Sequence, residues 1–152
     1  MRRLLRDRSV AICPEGIAGT FHGAARGDDD ETLFLASRRG FVRVAIQAGA
    51  PLLPVYHIGA SQLLRFVGWP RLSRWLRATV GFWCGVWGSP LPHRHDVVTV
   101  VGEPIDVVQC DDPPPDQVEA VHAAFCEAMV ALFDSHKHLL GREWEGKKMR
   151  II

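Results

Sequence analysis

The chain has 152 residues, a length that fits one domain, and its 47% hydrophobic and 23% charged residues exclude a wholly disordered polymer. Its formal net charge of +1 argues, taken alone, against nucleic acid as a partner. The average hides a segregated pattern. Five basic and six acidic residues stand in 1–31, eight and none in 32–95, and five and eleven in 96–152, so the net charges are −1, +8 and −6. A one-sign block inside an apolar stretch asks for an anionic ligand or an anionic membrane surface. The cysteines Cys13, Cys84, Cys110 and Cys126 form no CxxC and no paired spacing, which speaks against a disulfide framework or a zinc site and for thiols facing the cytosol. Met1–Arg8 is too charged for a signal-peptide core. Two stretches lack formal charge enough to be weighed as membrane spans. Val44–Leu64 is broken by Gly49, Pro51 and Pro54, and Ala78–Pro92 is shorter than the ~18 residues a span requires, so no transmembrane helix is predicted.

In chain order, Val10–Cys13 reads as a short buried strand that ends in the turn Pro14-Glu15-Gly16, with Cys13 in the core. The glycine-rich loop to Glu31 closes on Asp28–Glu31, read as a solvated acidic tip. A helix follows from Ser37, with Phe41, Val44, Ala45 and Ala48 on one face and Gly49 as its stop. Pro51–His57 reads as a second strand, and strand–helix–strand at this spacing predicts a parallel βαβ unit. Pro70 opens a predicted helix to about Trp83, with Leu72, Trp75, Leu76, Thr79, Val80, Phe82 and Trp83 on one face and Arg71, Arg74 and Arg77 on the other. Val97–Val101 is the clearest strand. After the Asp111–Asp116 break, Val118, Val121, Phe125, Met129, Leu132 and Phe133 mark a long helix by their spacing of three and four. The tail from Gly141 is polar until Met149–Ile152. The predicted class is α/β: a short, mostly parallel sheet with flanking helices.

Three constellations could carry chemistry. Pro14-Glu15-Gly16 sits at the carboxyl end of a predicted strand, where α/β folds gather ligands. Arg38 and Arg39, at a helix N-terminus, work against the helix dipole unless an anion binds between them. The alternative is a solvated pair, or one tied to Glu15 or to the Asp28–Glu31 run. The segment 65–93 combines Trp69, Trp75, Trp83 and Trp87 with Arg71, Arg74 and Arg77, a composition suited to a membrane interface. An ordinary surface helix packed on the core, or an RNA-binding surface, is the competing reading. Among the histidines, His122 and His136 lie near the long helix's apolar stripe, where a hydrogen-bonded core histidine is the ordinary case. His93/His95 and His136/His138 lack an acidic ligand set, and no metal is predicted. No Gly-x-Ser-x-Gly elbow, phosphate-binding loop or dinucleotide fingerprint occurs.

Four blocks in order resemble one family, the type-2 diacylglycerol acyltransferases, which include monoacylglycerol and wax-ester acyltransferases. They are Arg38-Arg-Gly-Phe-Val-Arg-Val-Ala45, Gly49-Ala-Pro-Leu-Leu-Pro-Val55, Thr99-Val-Val-Gly-Glu-Pro-Ile105, and His122 followed by Leu132-Phe-Asp-Ser-His-Lys137 and Gly141. The resemblance runs from about Val10 to the C-terminus. Pro14-Glu-Gly16 is also similar to the Pro-Glu-Gly motif of glycerolipid acyltransferases, whose Glu and Gly lie in the acceptor-binding turn. The family usually has Gly-Gly-x-x-Glu here, whereas this chain has Glu15 in the first Gly position and Gly19 in that of the Glu.

The resemblance implies transfer of a fatty acyl group from acyl-CoA to the hydroxyl of diacylglycerol. Acyl-CoA is then a substrate rather than a cofactor, and no other cofactor is implied. It assigns Pro14, Glu15, Gly16, Arg38, Arg39, Gly40 and Pro54 to substrate binding, and 65–93 to the membrane surface. The implied location is the cytosolic face of the endoplasmic reticulum or a lipid droplet, and the implied partners exclude nucleic acid. A lysophospholipid acyltransferase and a non-catalytic membrane-surface module are the alternatives. The family catalyses with a histidine in His-Pro-His-Gly or His-x-x-x-x-Asp, and neither occurs here, so no catalytic residue is assigned. Residues 1–152 are accordingly read as the C-terminal portion of such a domain, without its N-terminal membrane hairpin and inactive alone.

Overall fold

The computed structural model describes residues 5, 8–16, 30–76, 81–84 and 86–152. Its elements are β1 (Glu31–Leu33), α1 (Gly40–Ala48), β2 (Val55–Ile58), β3 (Arg65–Gly68), α2 (Pro70–Leu76), β4 (Gly81–Cys84), β5 (Val98–Val101), α3 (Pro115–His136), α4 (Arg142–Glu145) and β6 (Met149–Ile151). Short 3-10 turns occupy Ala60–Gln62, Val86–Gly88 and Lys137–Leu140.

The proline run before α3 sets its start. Pro114 is extended (φ −64°, ψ 154°), as the residue before a proline must be, and Pro115 fills the first turn, where its missing N–H costs nothing. Asp116 in the first turn and His136 in the last each face the favourable end of the helix dipole. One face then buries Val118, His122, Phe125, Met129, Leu132 and Phe133, as the spacing predicts, with Val121 half-buried beside them. Each large apolar member contributes about 1.5–3 kcal/mol by leaving water. Helix α1 ends as predicted at Gly49, whose φ of 63° is left-handed and whose N–H reaches the Ala45 and Ile46 carbonyls.

Three two-stranded ladders are present among the described residues, one parallel and two antiparallel. The α/β class holds, while the pairing departs from the mostly parallel sheet expected. Strand β2 runs antiparallel to β5, with Val55 opposite Val101 and Ile58 opposite Val98. Their inner face turns Tyr56, Ile58, Val98 and Val100 toward α3, and the Tyr56 ring meets Phe133 edge-on at 6.0 Å. Strands β1 and β6 pair in parallel, with Leu33 opposite Ile151. Strands β3 and β4 form an antiparallel pair around α2.

Four expectations are corrected. Val10–Cys13 forms no strand: Ile12 and Cys13 are exposed, and the Gly16 N–H closes a turn on the Cys13 carbonyl at 3.3 Å. The predicted βαβ unit therefore does not form, and β2 takes β5 as its partner instead.

The helix expected to reach Trp83 stops at Leu76. Residues 81–84 are a strand, because Gly81 disfavours helix, aromatic residues favour strands, and β3 is at hand to satisfy the backbone. The predicted apolar face of α2 points outward, with Leu72, Trp75 and Leu76 all exposed. Thr79 and Val80 lie outside the described residues, as do the side chains of Phe82 and Trp83.

The acidic tip is not solvated at Glu31, which is buried in β1, while Asp28 and Asp29 lie outside the described residues. Lastly, the polar tail hides a core residue. Trp144 is 1% exposed, packs edge-on against Phe133 at 6.5 Å and carries Lys147 over its ring at 4.1 Å. A single aromatic residue in a polar run has no periodicity to announce it.

Trp144→Ala is expected to cost about 3–5 kcal/mol in urea unfolding, whereas Trp75→Ala, at 79% exposure, stays within about 0.5 kcal/mol. Equal losses at the two positions would contradict this placement of the core.

Candidate functional site

The Pro14-Glu15-Gly16 turn and strand β1 meet at Phe34. The Phe34 backbone N–H donates to the Glu15 carboxylate, while burial and the nearby Glu31 charge push the Glu15 pKa above the usual glutamate range, burial being the larger cause. Glu31 itself accepts hydrogen bonds from the Tyr56 hydroxyl at 2.8 Å and the Ser61 hydroxyl at 2.6 Å. Burial first, then the Glu31 charge, push the Tyr56 hydroxyl well above its ordinary pKa, so it stays a donor. Two carboxylates thus stand near each other, Glu31 satisfied by hydroxyls and Glu15 at a turn.

The two arginines diverge. The Arg38 guanidinium lies over the Phe34 ring, 5.2 Å from its centroid, and its Nε is buried with no hydrogen-bond partner among the described residues. Arg39 turns to α3. Its Nε and one terminal nitrogen donate to both oxygens of Glu119, at 2.5 and 3.0 Å, and its other terminal nitrogen donates to the Ala36 carbonyl at 2.6 Å. The pairing lowers the Glu119 pKa and raises that of Arg39. The two guanidinium groups therefore do not converge on one anion, and among the described residues the carboxylate partner of Arg39 is Glu119 rather than Glu15, Asp30 or Glu31. Instead Arg39 fastens the start of α1 to α3, while Arg38 keeps its Nε uncommitted among the described residues.

Gly40 opens α1 on the surface, with open space where a side chain would stand. Pro54 is fully buried: its carbonyl accepts from the Gly102 N–H at 2.9 Å, and its ring underlies Gly102. Of the residues assigned to substrate binding, Glu15 and Arg38 each contact Phe34, the one its backbone N–H and the other its ring. It separates Arg39, and makes Pro54 part of the packing.

Glu31, Tyr56, Ser61 and Glu119 were missed by sequence reasoning. The Glu31-Thr-Leu33 alternation carries a faint strand signal, whereas nothing marks the Arg39–Glu119 pair, 80 residues apart. His122, as expected, is buried and hydrogen-bonded, with Nε2 3.0 Å from the Leu35 carbonyl. His136 likewise bonds the Leu132 carbonyl at 2.9 Å.

Within the segment assigned to the membrane, Trp69, Arg71, Trp75 and Trp87 are exposed. Arg77 lies outside the described residues, as do the side chains of Arg74 and Trp83. Among the described residues no helix is long and apolar enough to cross a membrane.

The raised Glu15 pKa predicts a pH signature. Folding takes up protons between the ordinary glutamate value of about 4.3 and the raised one, so this contribution to stability is full below that interval and falls as pH rises through it. Asp30 and Glu119, both held low, act at lower pH with the opposite sign. Urea midpoints measured upward from about pH 4.5 should fall in the native chain and lose that fall in Glu15→Gln. An identical slope in both would contradict the placement of Glu15.

The sequence matches the family model described as diacylglycerol acyltransferase over residues 2–147. Human acyl-CoA wax alcohol acyltransferase 1 is 37% identical over 121 residues, covering 70% of this chain and 37% of that protein. Human acyl-CoA wax alcohol acyltransferase 2 is 34% identical over 139 residues, with 80% and 40% covered. Diacylglycerol O-acyltransferase 2 of Danio rerio is 32% identical over 127 residues, with 72% and 35% covered. The chain thus spans only 35% to 40% of the length of these relatives. No solved structure matches it. With all four motif blocks inside the matched range, the chain belongs to the diacylglycerol acyltransferase family.

Proposed function

We propose that the protein is an acyl-CoA-dependent O-acyltransferase that esterifies the hydroxyl of diacylglycerol to make triacylglycerol. This chain would supply the acceptor-side wall and the contact with the membrane. The family match over 2–147 carries the reading. The contacts at Phe34 support it: a carboxyl whose pKa is raised by burial accepts from its backbone N–H, and a guanidinium whose Nε has no partner among the described residues lies over its ring. The guanidinium can donate hydrogen bonds to the ester carbonyls of a glycerolipid or to a phosphate of acyl-CoA. The general base that takes the hydroxyl proton belongs to a histidine motif without a counterpart in this sequence, so the chain alone is proposed to be inactive.

Exposed Trp69, Arg71 and Trp75, in a block without acidic residues, favour contact with an anionic lipid surface, where acceptor and product dissolve. The cytosolic face of the endoplasmic reticulum or a lipid droplet provides such a surface. The Pro-Glu-Gly turn favours, as a second reading, a lysophospholipid as acceptor.

Labelled acyl-CoA and diacylglycerol presented in vesicles are expected to yield no triacylglycerol with the chain alone. Product should appear when a segment bearing the family's His-Pro-His-Gly motif is co-expressed, and should fall by about tenfold or more with Glu15→Ala. Robust turnover by the chain alone would place the catalytic histidine among the seven present. Product only from a lysophospholipid would select the second reading, and none from either acceptor would leave a non-catalytic membrane module. Co-sedimentation with anionic vesicles tests the contact itself. Arg71→Glu/Arg74→Glu/Arg77→Glu should weaken it by about a hundredfold or more, at ~1 kcal/mol per arginine lost, and unchanged binding would refute it.

A further inference from the structure

Trp87 is the most exposed large apolar residue described, at 99%, and it holds a backbone conformation that bulky side chains avoid (φ 57°, ψ 27°). Such a conformation is strained in an L-residue, and the exposed indole recovers none of that strain by packing inside the fold. Something outside the fold is a reason to keep a tryptophan there.

The surrounding turn is tied to itself. The Val86 N–H donates to the Leu91 carbonyl at 3.0 Å, the Ser89 N–H and hydroxyl both donate to the Val86 carbonyl at 3.0 and 2.7 Å, and the Leu91 N–H donates to the Ser89 hydroxyl at 3.2 Å. Pro90 and Pro92 carry no N–H at all. The His93 N–H then anchors the base to the Leu63 carbonyl at 2.8 Å. A turn that satisfies these polar groups internally loses less on leaving water than an open loop.

Charge completes the pattern. No formal charge occurs from Ala78 to Pro92, Leu91 is exposed beside Trp87, and the first cation after the turn, Arg94, is exposed at its base. An uncharged tip with an indole, backed by a cation, matches the order of layers in a bilayer: hydrocarbon boundary, then phosphate.

We infer that the Val86–Leu91 turn inserts Trp87 and Leu91 past the headgroups of a lipid surface, with Arg94 at the phosphate level. This rests on the membrane contact proposed above and adds a mode to it. Attraction through Arg71 is electrostatic and weakens with salt, whereas insertion of an uncharged tip does not.

The test uses vesicles of phosphatidylcholine alone and the full chain in about 0.5 M salt, where surface charge is screened. Trp87→Gly should lower partitioning by about tenfold or more while leaving the denaturation midpoint unchanged or raised, because glycine accepts this backbone conformation. A residue kept only for structure would show the reverse, lost stability and unchanged partitioning, and that result overturns the inference. As a second measurement, lipids brominated near the headgroup end of the acyl chains should quench part of the tryptophan fluorescence of the native chain. Trp87→Phe should abolish that part, and quenching equal in both proteins overturns the insertion. Binding to anionic vesicles without loss in either variant leaves the charge-based contact standing alone. Failure to bind any vesicle removes both.

Discussion

The apolar face of α3 is the surface on which α1, β1, β2, β5 and β6 lean. Strands of three or four residues in two-stranded ladders are marginal by themselves in water. They persist here because Ile58 and Val100 from one ladder, and Leu33 and Met149 from another, enter a single cluster with Phe125, Met129, Leu132, Phe133 and Trp144. Helix α1 joins the same helix through Val42, Ile46 and Val118, and is fastened at its start by Arg39 and Glu119. A conflict between arginine and the helix dipole at the start of α1 is thereby resolved by a carboxylate on a neighbouring helix.

The candidate site follows from that scaffold. Strand β1 is held between β6 and the inner end of β2, which brings Glu31 against Tyr56 and Ser61 and sets Phe34 at the edge. Glu15 and Arg38 come to Phe34 from opposite directions along the chain, one from the Pro-Glu-Gly turn and one from the approach to α1. A buried carboxylate with two hydroxyl donors is costly to disturb, which holds Glu31, Tyr56 and Ser61 together.

The tryptophan-rich segment shows where local pattern misleads. Helical projection places Leu72, Trp75 and Leu76 on one face, each of them exposed, and the stretch expected to continue that helix returns as β4. Periodicity describes which residues share a face; it does not say whether that face meets protein, lipid or water. Tryptophan and arginine without acidic neighbours carry the same preference for an interface in any backbone conformation.

Sequence alone determined the features whose cause is local. The α3 stripe repeats at a period only a helix can use, Gly49 terminates α1 because left-handed backbone favours glycine, and the β-branched run before Gly102 can hardly be other than a strand. The four motif blocks and the family they indicate were legible for the same reason, since each is a short contiguous pattern. Tertiary structure decided everything that depends on contact between distant residues. It chose β5 rather than Val10–Cys13 as the partner of β2, buried Glu31 and Trp144 out of polar runs, and sent Arg39 to a glutamate 80 residues away. Strand pairing and ion pairing are selected by which groups arrive unsatisfied at the same place, and no single stretch of sequence holds that information.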